Sequence, residues 1–500
     1  MTHVRRGALR RVANVLVANR GEIALRVIRA CRELGLRSIA VVSDPDRDAP
    51  YAAAADAVEP IGGAAPADSY LRPDKILEAA RRSGADAVHP GYGFLSEDAA
   101  FAQRCRRAGL VFVGPPPRAM RVLGDKVRAR RLAARVGVPT VPGTPGAADV
   151  AAARALARRC GYPLIVKAAA GGGGRGMRVV RSAARLERAF REAAAEARAA
   201  FGDGTLFVER YIERPRHVEI QLLGDRTGRV MHLFERECSV QRRHQKLIEE
   251  TPARLDEPTR QALAEAACRL ARAAGYQNAG TAEFLLAPDG RFYFLEVNAR
   301  LQVEHPVTEM TTGIDLVQQQ LRLAAGEPLA FDQADVAPRG HAIECRVVAE
   351  DPYDGFLPAA GRIEAVRLPA GPGVRVDAAL APGLGVPPFY DSLLAKVVCW
   401  GEDRPAALAR MRRALGEMMI AGVPTSAPFL RRVLSSADFR RGAVDTGWVE
   451  RRWNERPPAS AVVRAAVLAA VLARQSADGA PRPAPAFTAW QTAWSDEPDH

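Results

Sequence analysis

Phe292-Tyr-Phe-Leu-Glu-Val-Asn-Ala-Arg-Leu-Gln-Val-Glu-His-Pro306 decides how the rest of this 500-residue chain is read. The aromatic and aliphatic residues from Phe292 to Val297 suit a buried strand. At a period of two, Phe292, Phe294, Glu296 and Asn298 share one face, so a packed face ends in polar groups. The spacing continues to Arg300, Gln302 and Glu304, past a loop expected to begin at Asn298 and Ala299. Just upstream, Gly280-Thr-Ala-Glu-Phe-Leu-Leu286 is a second expected strand, followed by Pro288-Asp-Gly290. An Asp-Gly pair between apolar runs predicts a hairpin. With Asp289-Gly290 as a two-residue turn, Pro288 faces Arg291 and, counting outward, Glu283 faces Glu296. A three-residue turn would instead put one of these carboxylates in solvent. Opposed residues place their Cβ atoms ~4.5–5.5 Å apart. Two carboxylates that close repel, and one pKa rises unless a cation lies between them. Hard divalent ions such as Mg2+ take carboxylate oxygens together with substrate phosphates. The hairpin therefore predicts a metal-bridged pair, Glu283 and Glu296.

Composition narrows the class. The length allows two to four domains with sizeable cores. No apolar run reaches the ~18 residues that span a bilayer, and the basic start, residues 1–11, lacks the apolar core of a signal peptide. A cytoplasmic protein with no membrane association is expected. The seven cysteines are scattered and never form a C-x-x-C pair, which argues against a disulfide framework and a zinc site. The formal charge of +14 is almost all Arg, spread along expected helices rather than clustered with aromatics, so nucleic acid is not the expected partner. Anionic substrates and an acidic partner use such a potential equally well. Only five lysines occur, Lys75, Lys126, Lys167, Lys246 and Lys396. In a chain that otherwise uses Arg, a retained Lys marks a place where a planar fork cannot replace a compact ammonium.

Along the chain, residues 12–18 read as a strand, 22–34 as a helix closed by Gly35, and 37–43 as a second strand. This βαβ start predicts a parallel sheet. The turn Asn19-Arg-Gly-Glu22 lacks G-x-G-x-x-G, so NAD is not indicated. Further alternation up to Pro115-Pro-Pro117 completes a Rossmann-like domain. Next, strands at 163–168 and 177–181 flank Ala169-Ala-Gly-Gly-Gly-Gly-Arg-Gly176, a loop whose glycines let backbone amides approach an anion. It has no G-K-[ST], so it is no Walker A loop; with Lys167 on the adjoining strand, it reads as a mobile flap over phosphates. Residues 236–246 read as a polar loop that brings Gln241, His244 and Lys246 to line a site. A mostly β section follows from residue 339, and a helix at 459–474 with a Pro/Ala-rich end forms a tail, packed on the body or docking a partner.

Five strings carry a resemblance: Ala18-Asn-Arg-Gly-Glu-Ile-Ala24, His89-Pro-Gly-Tyr-Gly-Phe-Leu-Ser-Glu97, Gly171-Gly-Gly-Gly-Arg-Gly-Met177, Gln241-Arg-Arg-His-Gln-Lys246 and Arg300-Leu-Gln-Val-Glu-His-Pro-Val-Thr-Glu-Met310. Flap, lysine and carboxylate hairpin resemble the ATP-grasp ligases, and these strings resemble biotin carboxylase from about residue 11 to 455. The resemblance implies an α/β chain with a Rossmann-like N-terminal domain (11–125), an ATP-grasp domain (126–328) with a mobile lid (147–215), a mixed α+β C-terminal domain (339–455) and a tail (456–500). It implies ATP- and bicarbonate-dependent carboxylation of biotin through carboxyphosphate, with Mg2+ or Mn2+ as the metal. Alternatives are another ATP-grasp ligase of the carbamoyl-phosphate or purine-biosynthesis kind, which lacks the string from Arg300 to Met310, and a non-catalytic nucleotide sensor, which would not keep Glu304 and both metal carboxylates.

Carried over position by position, the resemblance implies that Lys126 and Lys167 hold ATP phosphates and that Gly173 and Gly174 supply flap amides. Glu209 and Ile212 match adenine recognition, and His217, Gln241 and His244 further nucleotide contacts. Glu283, Glu296 and Asn298 match the metal site. Lys246, Arg300, Gln302, Val303 and Glu304 match the bicarbonate pocket, with Glu304 the general base and Arg300 a holder of the anion. Arg346 matches the residue that stabilises the biotin enolate, and Tyr92 the one near the biotin ring. Two departures stand out: Ala170 opens the glycine run where the family commonly has a fifth glycine, and Arg210 replaces a usual Lys beside the adenine site. The chain lacks the Met-Lys-Met context of biotin attachment. The expected partners are therefore a separate biotin carboxyl carrier protein and a carboxyltransferase subunit of an acetyl- or acyl-CoA carboxylase of fatty acid biosynthesis, with the chain itself a homodimer.

Overall fold

The computed structural model describes residues 12–144, 146–168 and 177–453. Residues up to Arg452 form one compact unit, and the chain from Trp453 onward groups separately. The glycine flap with Gly173, Gly174 and Ala170, and the tail helix, lie outside the described residues.

The first sheet contains β1 (Asn14–Val17), β2 (Arg37–Val42), β3 (Ala57–Pro60), β4 (Ala87–His89) and β5 (Val111–Phe112), with α1 (Gly21–Glu33) after β1. All pairings are parallel, in the order β3-β2-β1-β4-β5. This is the doubly wound order, whose switch point lies between β1 and β4, where ligands collect at the strands' carboxyl ends. The loops there, after Val17 and after His89, carry the two N-terminal motifs. They are tied together: the Asn19 amide donates to the carbonyls of Pro90 and Tyr92, both at 2.7 Å. Gly91 has φ +61°, and a Cβ there would lie 2.9 Å from the Asn19 amide nitrogen, so glycine is required.

A small three-stranded antiparallel sheet follows, from β6 (Leu164–Ala168), β7 (Met177–Val180) and β8 (Leu206–Arg210), in the order β7-β6-β8. Helices Val150–Cys160 and Leu186–Phe201 cover it, and Leu164, Val166, Val208 and Leu186 give it a core of its own.

The remaining strands that matter here are β9 (Arg216–Gly224), β10 (Val230–Arg242), β11 (Gln245–Thr251), β12 (Asn278–Leu286), β13 (Phe292–Asn298), β14 (His341–Val348), β15 (Val374–Ala378) and β16 (Leu393–Gly401). They form one eight-stranded sheet in the order β13-β12-β9-β10-β11-β14-β16-β15. The C-terminal section thus adds its strands to the same sheet that carries the hairpin. An apolar cluster runs from Leu16 and Val88 of the first sheet to Val218, Phe284 and Phe294 of this one.

Two sequence readings change. The hairpin turn is not the two-residue Asp289-Gly290. Ala287 N–H donates to Arg291 C=O at 2.8 Å, and Leu286 pairs with Phe292, so three residues, Pro288 to Gly290, make the turn. By itself this would set Glu296 opposite Ala282, on the core face. A bulge intervenes: Phe284 pairs with Phe294 but Glu283 pairs with Glu296, leaving Leu295 extra. Both residues of such a bulge oppose one partner. The face therefore switches within β13. Phe292 and Phe294 pack edge-to-face on Phe284, at 5.7 and 6.1 Å, whereas Glu296 and Asn298 line the cavity described below. The expected single face from Phe292 to Asn298 does not exist, yet the two glutamates do oppose each other.

The second change concerns residues 236–246, which are not a loop. Gln241 pairs with Lys246 and Arg242 with Gln245, joining β10 to β11 through Arg243-His244 alone. Both turn residues have positive φ, +47° and +66°, the geometry of a two-residue turn that normally selects Asn or Gly. A side chain held there costs of order 1–3 kcal/mol and points to a site under functional constraint.

Candidate functional site

A cavity of about 1060 Å³ opens between the first sheet, the small sheet and the eight-stranded sheet. Every described residue of the expected site, from Tyr92 and Lys126 to Glu304 and Arg346, lines it.

Its deep end is ionic. Lys246 Nζ lies 2.5 Å from Glu219 Oε2, 2.8 Å from Glu283 Oε1 and 2.6 Å from Glu304 Oε1. Arg346 donates to Glu249 Oε1 at 2.6 Å and to Glu304 Oε2 at 3.0 Å. Each oxygen of the buried Glu304 thus meets a different cation. Burial favours the neutral acid, but Lys246, Arg346 and Arg236 prevail and hold Glu304 well below the carboxylate range. Burial pushes Glu249 up to about 7, against Arg346. Burial opposes the charge on Lys246 too, but Glu219, Glu283 and Glu304 raise its pKa well above the usual value.

The loop after β13 is anchored from the first sheet. Glu97 accepts from Ala299 N–H at 3.1 Å and from Arg300 Nε at 3.0 Å, while Arg300 also donates to Asn298 Oδ1 at 2.9 Å. Gln302 donates to Glu283 Oε1 at 2.8 Å. Beneath it Arg236, fully buried, donates to Glu219, Gln221, Thr281, Thr308 and Gln302. Sequence reasoning missed Arg236 and Glu219. Glu219 had a signal: His217, Glu219 and Gln221 are polar at every second position of an otherwise apolar strand, which puts all three on one face. An arginine that satisfies five partners inside the sheet carries no such mark.

The paired carboxylates split in their proton affinity. Burial, then Glu283 opposite, raises Glu296; Glu283 is held low, burial notwithstanding, by Lys246 and then His217, whose Nε2 is 3.2 Å away. Two hard oxygen donors on one face, with Asn298 beside them, fit a divalent cation such as Mg2+.

Toward the small sheet, Lys167 Nζ lies 2.6 Å from Glu209 Oε2, and Arg130 also contacts Glu209. Burial lowers Lys167 to about 8, with Lys126 and Arg130 adding to the fall. Arg210, the departure noted above, turns its guanidinium to the Cys160 carbonyl. Among the described residues no helix is long and apolar enough to cross a membrane.

A doubly wound sheet, a small two-layer unit above the cavity, and carboxylates and cations on one antiparallel sheet define an ATP-grasp ligase. Family models match in three consecutive pieces: "Biotin carboxylase, N-terminal domain" over residues 11–120, "Carbamoyl-phosphate synthase L chain, ATP binding domain" over 125–331, and "Biotin carboxylase C-terminal domain" over 344–451. The chain is 50% identical over 438 residues to a biotin carboxylase of Nostoc sp., covering 87% of this chain and 98% of that one. It is 48% identical over 441 residues to a biotin carboxylase of Haemophilus influenzae, covering 88% and 98%. Among solved structures, the biotin carboxylase domain dimer of Hydrogenobacter thermophilus 2-oxoglutarate carboxylase, in complex with MgADP, ADP and bicarbonate, superposes with TM-score 0.85 at 45% identity, covering 89% of this chain and 99% of that one. The chain belongs to the biotin carboxylase family and is an ATP-dependent ligase.

Proposed function

We propose that this chain carboxylates biotin on a separate carrier protein, using ATP and bicarbonate through carboxyphosphate, as the first half-reaction of an acyl-CoA carboxylase. The observation that carries the reading is Glu304, a buried carboxylate gripped by Lys246 on one oxygen and Arg346 on the other, in the same cavity as the Glu283/Glu296 pair. Bicarbonate is a poor nucleophile, so it must be deprotonated and phosphorylated before its carbon is transferable. Glu304 accepts the bicarbonate proton as the oxygen attacks the γ-phosphorus and ADP leaves. A carboxylate held so low is a weak base. A bound anion that draws Lys246 and Arg346 to itself releases Glu304 and raises its pKa when a proton must be taken.

Lys126 and Lys167 hold the ATP phosphates, and Gly173 and Gly174, outside the described residues, are assigned to the same contact. Glu209 and Ile212 take the adenine, with His217, Gln241 and His244 completing the nucleotide contacts. Arg300, Gln302 and Val303 orient bicarbonate beside Lys246, and Arg346 stabilises the biotin enolate under Tyr92. Glu283, Glu296 and Asn298 would hold Mg2+, and a bound Mg2+ would supply charge neutralisation for the transferred phosphoryl group. Carboxyphosphate is labile in water, which gives the lid at 147–215 its purpose. We read the domains as 11–125, 126–328 and 339–455, in a soluble, cytoplasmic homodimer. Its partners are a biotin carboxyl carrier protein and a carboxyltransferase that selects an acyl-CoA or pyruvate.

The test is ADP release from ATP with bicarbonate, with and without free biotin. Stimulation by biotin supports the proposal. Release that needs ammonia or another amine acceptor would point to a different ATP-grasp ligase, and binding without release to a nucleotide sensor.

A further inference from the structure

Of the five lysines, three line the cavity and Lys75 caps backbone carbonyls of Ile61 and Asp68. Lys396 remains. It is 0% exposed, on β16, where it pairs with Arg346 of β14 on one side and Asp377 of β15 on the other. Directly paired residues share a face, so Lys396 stands beside Arg346 in one row across the sheet. Its ammonium reaches the Val303 carbonyl at 3.2 Å, Glu22 Oε1 at 3.2 Å and Asp377 Oδ2 at 3.6 Å, and lies 5.9 Å from the centre of the Tyr92 ring. Glu22 Oε1 also accepts the Tyr92 hydroxyl.

One buried point charge therefore joins four segments far apart in sequence: Glu22 of α1, Tyr92 of the loop after β4, Val303 next to Glu304, and the row that holds Arg346. Glu344, two residues before Arg346, also faces Lys396, and both its buried oxygens have no hydrogen-bond partner. A guanidinium fork needs a planar, bidentate seat. Here the contacts are a carbonyl, single carboxylate oxygens and a ring face, an arrangement suited to a compact ammonium.

Resting on the biotin carboxylase reading above, we propose that Lys396 is a positioning residue for the biotin side of the site: through Glu22 it fixes Tyr92, and it stands in the same row as Arg346. It touches no substrate itself. Its removal is felt in biotin binding, not in nucleotide binding, because nothing it contacts faces the ATP phosphates.

The experiment is a double-mutant cycle on the full chain with free biotin, using Lys396→Met, Tyr92→Phe and both together. Lys396→Met is expected to raise KM for biotin about tenfold, the scale of one charge-assisted contact, with KM for ATP unchanged. The double variant should raise it no more than the larger single change, since both act on one arrangement. Additive increases, or KM for ATP rising in step with KM for biotin, overturn the proposal. If Lys396→Met does not fold, the cycle is run with Lys396→Gln, which removes the charge and keeps a polar side chain of similar reach; coupling with Tyr92→Phe supports the proposal and additivity overturns it. Wild-type chain without any biotin-stimulated ADP release would instead defeat the family-based reading, so the two failures are separable.

Discussion

Glu283 and Glu296 oppose each other across β12 and β13 because the extra bulge residue Leu295 offsets the third residue of the turn. Two departures from the simplest hairpin cancel. What results is a pair of acids on one face, with Glu296 raised by burial and by Glu283. Lys246 offsets the charge of Glu283, whereas Glu296 stays disfavoured as an anion, and under the proposed reading a divalent cation is what it serves. Glu296→Gln should therefore separate stability from activity. The activating Mg2+ concentration should rise ~10–100-fold, while the metal-free protein unfolds at the same denaturant concentration as wild type or a higher one. A clear loss of metal-free stability would show that the carboxylate serves the fold instead.

Glu304 meets a cation at each oxygen, and in the proposed reaction its charge accepts the bicarbonate proton. Glu304→Gln keeps the shape and removes the basicity. Biotin-dependent ADP release should fall about 10²–10⁴-fold, with the affinity for ATP changed only a few-fold, as read by nucleotide titration. Near-normal turnover in this variant would remove Glu304 from the role of base.

The opposition of Glu283 and Glu296 was legible in sequence, but its cause was not. Leu295 looks like any strand residue, and a bulge is visible only when both strands are placed. The Arg243-His244 turn was unreadable because neither residue carries the Asn or Gly signal that marks such turns. Arg236 was hidden among many surface arginines. Conversely, the scarcity of lysine was an informative signal. Contacts such as Glu97 with Arg300 join segments some two hundred residues apart and follow from the fold alone.

Lys167 gives a pH test. Burial, with Lys126 and Arg130, lowers it to about 8, despite Glu209 at 2.6 Å. Its positive charge is present below that value and lost above it. Because kcat/KM reports groups of the free enzyme, kcat/KM for ATP should decline as pH rises through about 8, approaching tenfold per unit. Lys167→Arg stays charged throughout and should lack this inflection, whatever its baseline. A wild-type profile flat across this range would mean that Lys167 does not hold the phosphates.

His89 gives the opposite sign, in stability. It is fully buried at the end of β4, its Nδ1 accepts the Gly91 N–H at 3.0 Å, and burial lowers its pKa from 6.5 to about 3. Below 6.5 the unfolded chain takes up a proton that the folded chain refuses, so stability is present above 6.5 and lost progressively as pH falls toward about 3. The slope for one such group is about 1.4 kcal/mol per pH unit. Many carboxylates add their own slopes, so the quantity to measure is a difference. His89→Asn keeps an acceptor near the Nδ1 position but does not titrate here. Denaturant unfolding of the two proteins across that window should give curves whose stability difference closes by about that amount per unit of acidification. Parallel curves would mean that His89 is protonated in the folded chain, and that the His89-Pro-Gly-Tyr92 loop is not held by the neutral ring.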